Sequence, residues 1–286
     1  MTSLLLALSL AASAAGVAPV PHAHELTGQD VELKTPDGWT LKAKYSPAMS
    51  EQRTIVLLHG KGERKEIWYY LTRNLAKTGF GFLAPDLRGH GQSQVGPDGK
   101  PAIYKQFKTG KADNDFIKMD LDAQATVDFL KSQNVPEENI GFVGTDLGGI
   151  IALRYAAVHP KIPYVVMLSP AMQYQDVPSV SALLKYKDRP LLMIYSELDK
   201  TASRDAPVLY GFAKQYTGER NAMQVSVPKI HGVKLPANGP VIKQVIDWLI
   251  LPVKPEAPVV STDTAVGGSS TPVEGEPEAP APSPEP

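Results

Sequence analysis

The residues best suited to chemistry in this chain are 144–148, Gly-Thr-Asp-Leu-Gly, with Asp146 at the centre. A G-x-nucleophile-x-G pattern presents a reactive side chain on a sharp turn between a strand and a helix, and serine is its usual central residue. The apolar residues 139–144 predict a buried strand before the turn, and 149–158 predict a buried helix after it. A carboxylate here can attack an alkyl carbon, whereas attack on an ester would form a poor anhydride intermediate.

The segments around this turn predict an α/β fold. An antiparallel hairpin over 31–45 comes first. Predicted strands at 54–58, 80–84, 139–144, 164–168, 190–195 and 222–227 then alternate with predicted helices at 66–77, 116–130, 149–158, 180–186, 206–215 and 240–250. This order predicts a mostly parallel, doubly wound sheet covered on both faces, with no large cap domain. Catalytic groups are then expected at the carboxyl ends of the strands.

Two further motifs carry a family resemblance. They are Leu-His-Gly-Lys-Gly at 58–62 and Asp-Leu-Arg-Gly-His-Gly-Gln-Ser at 86–93. Together with the turn at Asp146, they make the chain resemble the α/β-hydrolase superfamily over about 225 residues. It is most similar to small capless serine hydrolases, such as the serine-aminopeptidase-like and dienelactone-hydrolase-like groups. The resemblance implies a relative of carboxylic ester and amide hydrolases in which the nucleophilic serine is replaced by Asp146.

The resemblance also implies a role for each site residue. A triad in the order nucleophile, acid, histidine is carried over onto Asp146, Asp199 and His231. The backbone N–H groups of Lys61 and Leu147 would form the oxyanion hole. The sequence has no metal-ligand cluster, dinucleotide fingerprint or P-loop, so we expect neither a cofactor nor a metal.

Three functional hypotheses remain open from the sequence. The first is a hydrolase that uses Asp146, as epoxide hydrolases and haloalkane dehalogenases do. Against it, Leu147 stands where dehalogenases carry tryptophan, Gly62 replaces a favoured proline, and only 21 residues separate Leu168 from Pro190, too few for a cap. The second is an inactive hydrolase-fold protein that binds a small molecule, with His231 held charged between two carboxylates. The third is a scaffold that acts through the C-terminal tail.

Composition divides the chain into three regions. The uncharged residues 1–24 predict a secretory signal peptide, although no Lys or Arg precedes the apolar run, so an ordinary N-terminal tail is the alternative. Residues 26–251 form the predicted α/β-hydrolase domain. Residues 252–286 are rich in Pro and Glu and carry one lysine against six acidic residues, which predicts a disordered acidic tail.

The same bulk properties limit location and partners. Cleavage of the leader would give a secreted or periplasmic protein without a stable membrane span. The formal net charge of −1 offers no basic field for nucleic acid. The expected partner is therefore a small-molecule substrate or ligand.

Overall fold

The structure is a computed structural model that describes residues 25–50, 52–110 and 113–253. The predicted leader at 1–24 and the predicted tail beyond 253 lie outside the described residues, so both remain predictions.

The strands and helices alternate along the chain as the sequence predicts. The strands are β1 (Gln29–Lys34), β2 (Thr40–Ser46), β3 (Thr54–Leu58), β4 (Gly81–Pro85), β5 (Ile140–Thr145), β6 (Val165–Leu168), β7 (Gln173–Tyr174), β8 (Val177–Pro178), β9 (Leu191–Ser196) and β10 (Ala222–Val227). The α-helices are α1 (Tyr69–Lys77), α2 (Asp120–Ser132), α3 (Leu147–Val158), α4 (Val180–Tyr186), α5 (Lys200–Thr217) and α6 (Gly239–Ile250). Short 3₁₀ turns lie at Lys65–Trp68, Tyr104–Gln106, Ile117–Met119, Glu137–Asn139 and Gly232–Ala237.

Within the described residues, the main sheet has eight strands in the order β1-β2-β4-β3-β5-β6-β9-β10. The first two pairings, β1 with β2 and β2 with β4, are antiparallel. All later pairings are parallel, so the strands from β4 to β10 end at the same edge. This confirms the expected parallel sheet with an antiparallel N-terminal hairpin. No large cap interrupts it, because only the β7–β8 ribbon and α4 lie between β6 and β9.

Helices cover both faces of the sheet and create two apolar layers. One layer joins residues of α2, α3, α4 and α5 to the sheet, and the other joins residues of α1 and α6 to its opposite face. The central strand β5 is buried along its whole length, as expected for a parallel strand covered on both sides. None of the described helices is long and apolar enough to cross a lipid bilayer.

One helix differs from its predicted length. We expect a helix over 206–215, but α5 runs from Lys200 to Thr217. The carboxylate of Asp199 accepts the backbone N–H groups of Thr201 and Ala202 and so caps a helix that starts directly after the β9 turn. The cap places Asp199 at the carboxyl edge of the sheet.

Candidate active site

Loops at the carboxyl ends of five parallel strands surround one cavity of about 360 Å³. The loop after β3 contributes 61–63, the turn after β5 contributes Asp146, and the segment after β6 contributes Ser169. The turn after β9 contributes Asp199, and the loop after β10 contributes Gly232 and Val233. The cavity therefore lies where a parallel sheet is expected to place its functional groups.

The turn after β5 has the backbone of a strained elbow. Asp146 adopts φ 52° and ψ −119°, which is uncommon for a residue with a side chain. Its N–H donates to the carbonyl of Leu168 at 2.8 Å, which ties the elbow to the end of β6. A Cβ built on Gly148 would lie 2.1 Å from the carbonyl oxygen of Leu58, so only glycine fits this crossing of α3 and β3. The elbow thus holds the Asp146 side chain in the cavity.

The carboxyl group of Asp146 occupies the oxyanion hole that the sequence implies. The backbone N–H groups of Leu147 and Lys61, the two donors carried over from the family resemblance, favour its charged form and so lower its pKa. The loop after β3 comes close enough for this because a Cβ on Gly60 would lie 3.1 Å from the Asp146 Cβ. Both N–H groups are therefore directed at the protein's own carboxylate.

Burial and neighbouring acids raise the pKa of Asp146 to about 7. The largest cause is burial, and repulsion from Glu63 and then Asp199 acts in the same direction, whereas the two N–H donors oppose them. Burial also raises the pKa of Glu63, although its Oε2 accepts the N–H of Gly60 at 2.8 Å. Near neutral pH the elbow carboxyl is thus divided between its charged and neutral forms.

Asp199 lies in the same cavity as Asp146, as its predicted role requires. Its Oδ1 accepts the N–H groups of Thr201 and Ala202, both at 3.1 Å, while its Oδ2 accepts no hydrogen bond from the described residues. Its charge contributes to the raised pKa of Asp146. The structure therefore brings the nucleophile and acid positions of the implied triad together.

His231 does not join them. Its side chain is exposed, and within the described part of the chain its ring makes neither a hydrogen bond nor an ion pair with a carboxylate. The next residue, Gly232, faces the site instead, since a Cβ built there would lie 2.5 Å from Oδ2 of Asp199. The imidazolium between two carboxylates that the sequence suggested is not present in this structure.

A family model described as alpha/beta hydrolase fold matches residues 53–213, more than half of the chain. The chain belongs to the α/β-hydrolase family.

Some proteins resemble this chain in sequence over about half of their length, and others resemble it in fold at low sequence identity. The chain is 30% identical over 173 residues to the AB hydrolase superfamily protein YisY of Bacillus subtilis, covering 55% of this chain and 56% of that protein. The chain spans about half the length of the curated relatives it matches.

Two solved structures share the fold at low identity. The Pyrococcus furiosus esterase Pf2001 has a TM-score of 0.62 at 20% identity, covering 79% of this chain and 92% of the esterase. A dienelactone hydrolase from Anabaena variabilis has a TM-score of 0.61 at 17% identity, covering 81% of this chain and all of the hydrolase. The expected relation to esterases and dienelactone hydrolases is thus confirmed at the level of the fold.

Two residues of this α/β-hydrolase site escaped the sequence prediction. Glu63 follows the Gly-Lys-Gly of the loop after β3, and Ser169 directly follows β6. The only signal for either was its position, a polar residue just beyond the end of a buried strand. Ser169 adopts φ 52°, is 7% exposed, and its hydroxyl has no hydrogen-bond partner among the described residues.

Residues of the loop after β4 and of the β7–β8 ribbon line a second cavity beside the first. This adjoining cavity of about 430 Å³ shares Lys61 and Tyr174 with the first and is lined by Lys61, Tyr104, Lys105, Phe107, Phe116, Tyr174 and Gln175. Burial, together with the nearby charge of Asp146, raises the pKa of Tyr174 to about 12, so its hydroxyl stays protonated. The site therefore combines a carboxyl-lined end with an aromatic end.

Proposed function

We propose that this α/β-hydrolase-family protein binds a small molecule in the elbow cavity and does not hydrolyse esters through its elbow residue. One observation carries the proposal, namely that the backbone N–H groups of Lys61 and Leu147 act on the carboxyl group of Asp146 and favour its charged form. In an ester hydrolase these donors stabilise the negative charge that develops on the substrate oxygen. Loss of a single such donor slows acyl transfer about 10²- to 10³-fold, and here both are directed at the protein itself.

The position of the histidine supports the same conclusion. Turnover of any covalent intermediate on Asp146 needs water activated by a base, and the exposed His231 forms no hydrogen bond or ion pair with Asp146. Asp146 is also only partly ionised near neutral pH, which weakens it as a nucleophile. These features disfavour alkyl transfer of the epoxide-hydrolase or dehalogenase type as well as acyl transfer.

The decisive test compares short-chain nitrophenyl ester hydrolysis by the wild type, Asp146→Asn and Asp146→Ser. We expect the wild type and Asp146→Asn to have equal rates at the buffer background, because asparagine keeps the shape of the elbow side chain. Turnover by the wild type that disappears in Asp146→Asn would overturn the proposal.

The serine variant tests the histidine position separately. Asp146→Ser frees both N–H groups but leaves the serine without a base, so we expect no sustained turnover. Sustained turnover by this variant would mean that His231 reaches the elbow in solution.

Export remains a separate proposal, based on the leader at 1–24. We expect the mature protein to be recovered outside the cytoplasm with its N-terminus beyond that segment. An intact N-terminus on protein confined to the cytoplasm would contradict it.

A further inference from the structure

Three carboxyl groups line the elbow cavity and form no ion pair with any described basic residue. Glu63 comes from the loop after β3, Asp146 from the elbow and Asp199 from the cap of α5. Each accepts hydrogen bonds from backbone N–H groups, and none forms an ion pair with a basic residue of the described chain. Lys61 also lines the cavity but forms no ion pair with these carboxyl groups, and its Nζ lies about 5.9 Å from the ring centre of Phe116.

A second feature indicates a missing hydrogen-bond donor at the same place. The hydroxyl of Ser169 is buried, lacks a partner, and belongs to a residue that lines the cavity. The hydroxyl and the free Oδ2 of Asp199 both lie against Gly232, because a Cβ built there would be 2.7 Å from the hydroxyl and 2.5 Å from Oδ2, and both residues line the cavity. A buried polar atom without a partner is costly, so these two oxygens suit a ligand with several N–H donors.

We propose that this carboxyl-lined cavity binds the ammonium group of a primary amine whose apolar body extends into the adjoining aromatic cavity. An ammonium group has three donors and no acceptor, which matches carboxylate oxygens and a free hydroxyl. A directly coordinated metal fits less well, because Glu63, Asp146 and Asp199 line the cavity without coming close enough together to hold one ion as a set of three ligands.

The aromatic cavity defines the rest of the ligand. It shares Lys61 and Tyr174 with the carboxyl-lined cavity, and Tyr104, Phe107 and Phe116 form its walls. Apolar surface of this kind fits an aromatic or aliphatic group separated from the ammonium by a short linker. Lys61 and Lys105 in the same cavity disfavour a second positive charge on that group.

The inference rests on the proposed binding function, and one titration calorimetry experiment on the full chain tests it. The probes are 2-phenylethylamine, the neutral 2-phenylethanol and the anionic phenylacetate, at constant ionic strength and pH 8. We expect the amine to bind at least tenfold more tightly than either other probe. Equal or tighter binding of the alcohol or the acid, or no binding of the amine, would overturn the inference.

Two variants locate the bound ammonium group. Asp199→Asn keeps a good helix cap and Asp146→Asn keeps an acceptor for the two N–H groups, so both should fold. Each is expected to weaken amine binding at least tenfold, whereas Asp247→Asn on the exposed face of α6 should leave it unchanged. Unchanged amine binding in both site variants would place the amine elsewhere and overturn the inference.

The pH dependence of the wild type gives a readout that needs no variant. Glu63, Asp199, Tyr174 and Lys61 line the cavity together with Asp146. A bound ammonium group favours the ionised form of the Asp146 carboxyl. Amine binding should therefore release protons near pH 7 and weaken as the pH falls from 8 to 6. An amine affinity that does not change over that range would contradict a site at Asp146.

The same samples separate this inference from the proposed function. Ester turnover that depends on Asp146 and is inhibited by the amine would refute the binding-protein proposal but support the ammonium site. Absence of turnover together with absence of amine binding would refute the ammonium site alone.

Discussion

At the scale of single residues, the elbow carboxyl decides how this site differs from an ester hydrolase. Asp146 reaches back to N–H groups that a shorter serine would leave free for substrate. Burial beside Glu63 and Asp199 then makes its charged form unfavourable, which raises its pKa to about 7. The folded protein therefore loses stability when this group ionises.

Replacing that carboxyl should stabilise the protein at high pH. Because the folded pKa of Asp146 lies above its unfolded value of about 3.9, the wild type loses stability as the pH rises from about 4 to 7. Asp146→Asn lacks this loss, so we expect its free energy of unfolding, relative to the wild type, to rise by about 4 kcal/mol between pH 4 and pH 8.

Urea unfolding at both pH values measures this difference. Asp247→Asn, in an exposed pair with Lys243, should change the free energy by less than about 0.5 kcal/mol at either pH. A wild-type advantage at pH 8 that is absent at pH 4 would contradict the burial of the Asp146 charge.

The sequence could predict some of these residues because strand ends fix their backbones. Asp146, Lys61 and Leu147 follow directly from buried strands, and the structure brings them together. The orientation of His231 could not be predicted, because either His231 or its neighbour Gly232 could lie beside Asp199 in this loop. In the structure Gly232 occupies that position. Glu63 is a single acid in a loop, where no periodic pattern marks it as facing the site.

At the scale of elements, the site depends on the close approach of α3 to the central strands. Gly144 and Gly148 allow this approach, and a Cβ on Gly144 would lie 2.4 Å from the backbone of Gly148. The order and type of these elements could be predicted from apolar periodicity and glycine spacing. The start of α5 at Lys200 could not be predicted, since it depends on the side chain of Asp199 accepting the first N–H groups of the helix.

A pair of glycine substitutions tests this packing. Gly148→Ala should lower the free energy of unfolding by about 3 kcal/mol, because its Cβ would collide with the backbone carbonyl of Leu58. Gly211→Ala in α5 has open space around it and should raise stability by about 0.5 to 1 kcal/mol. Thermal and urea unfolding compare the two, and equal effects would contradict the crossing geometry.

At the scale of the whole molecule, buried ion pairs hold distant segments around the sheet. Arg88, in the loop after β4, donates its Nε to Asp122 of α2 at 2.7 Å and its terminal nitrogens to Asp37 of the β1–β2 turn. Asp86, at the start of the same loop, is buried and forms an ion pair with Lys65 at 2.7 Å. The loop in turn supports the segment that carries Tyr104 and Phe107 in the aromatic cavity.

Breaking one of these pairs should destabilise the whole fold. Asp122→Ala removes one of the two carboxylate partners of the buried Arg88 and leaves only Asp37, for which we expect a loss of about 3 kcal/mol in the free energy of unfolding. Lys243→Ala removes an exposed pair on α6 and should cost about 0.5 kcal/mol or less. A small loss in Asp122→Ala, similar to that of the surface variant, would contradict the structural role of Arg88.

The most direct measurement is the pH titration of the Asp146 side-chain carboxyl by carbon-13 NMR, assigned by its loss in Asp146→Asn. We expect the titration of this carboxyl to have a midpoint near pH 7, because the group is buried beside Glu63 and Asp199. A midpoint near the ordinary value of about 3.9 would show a solvated carboxylate free to act as a nucleophile, and would contradict the account.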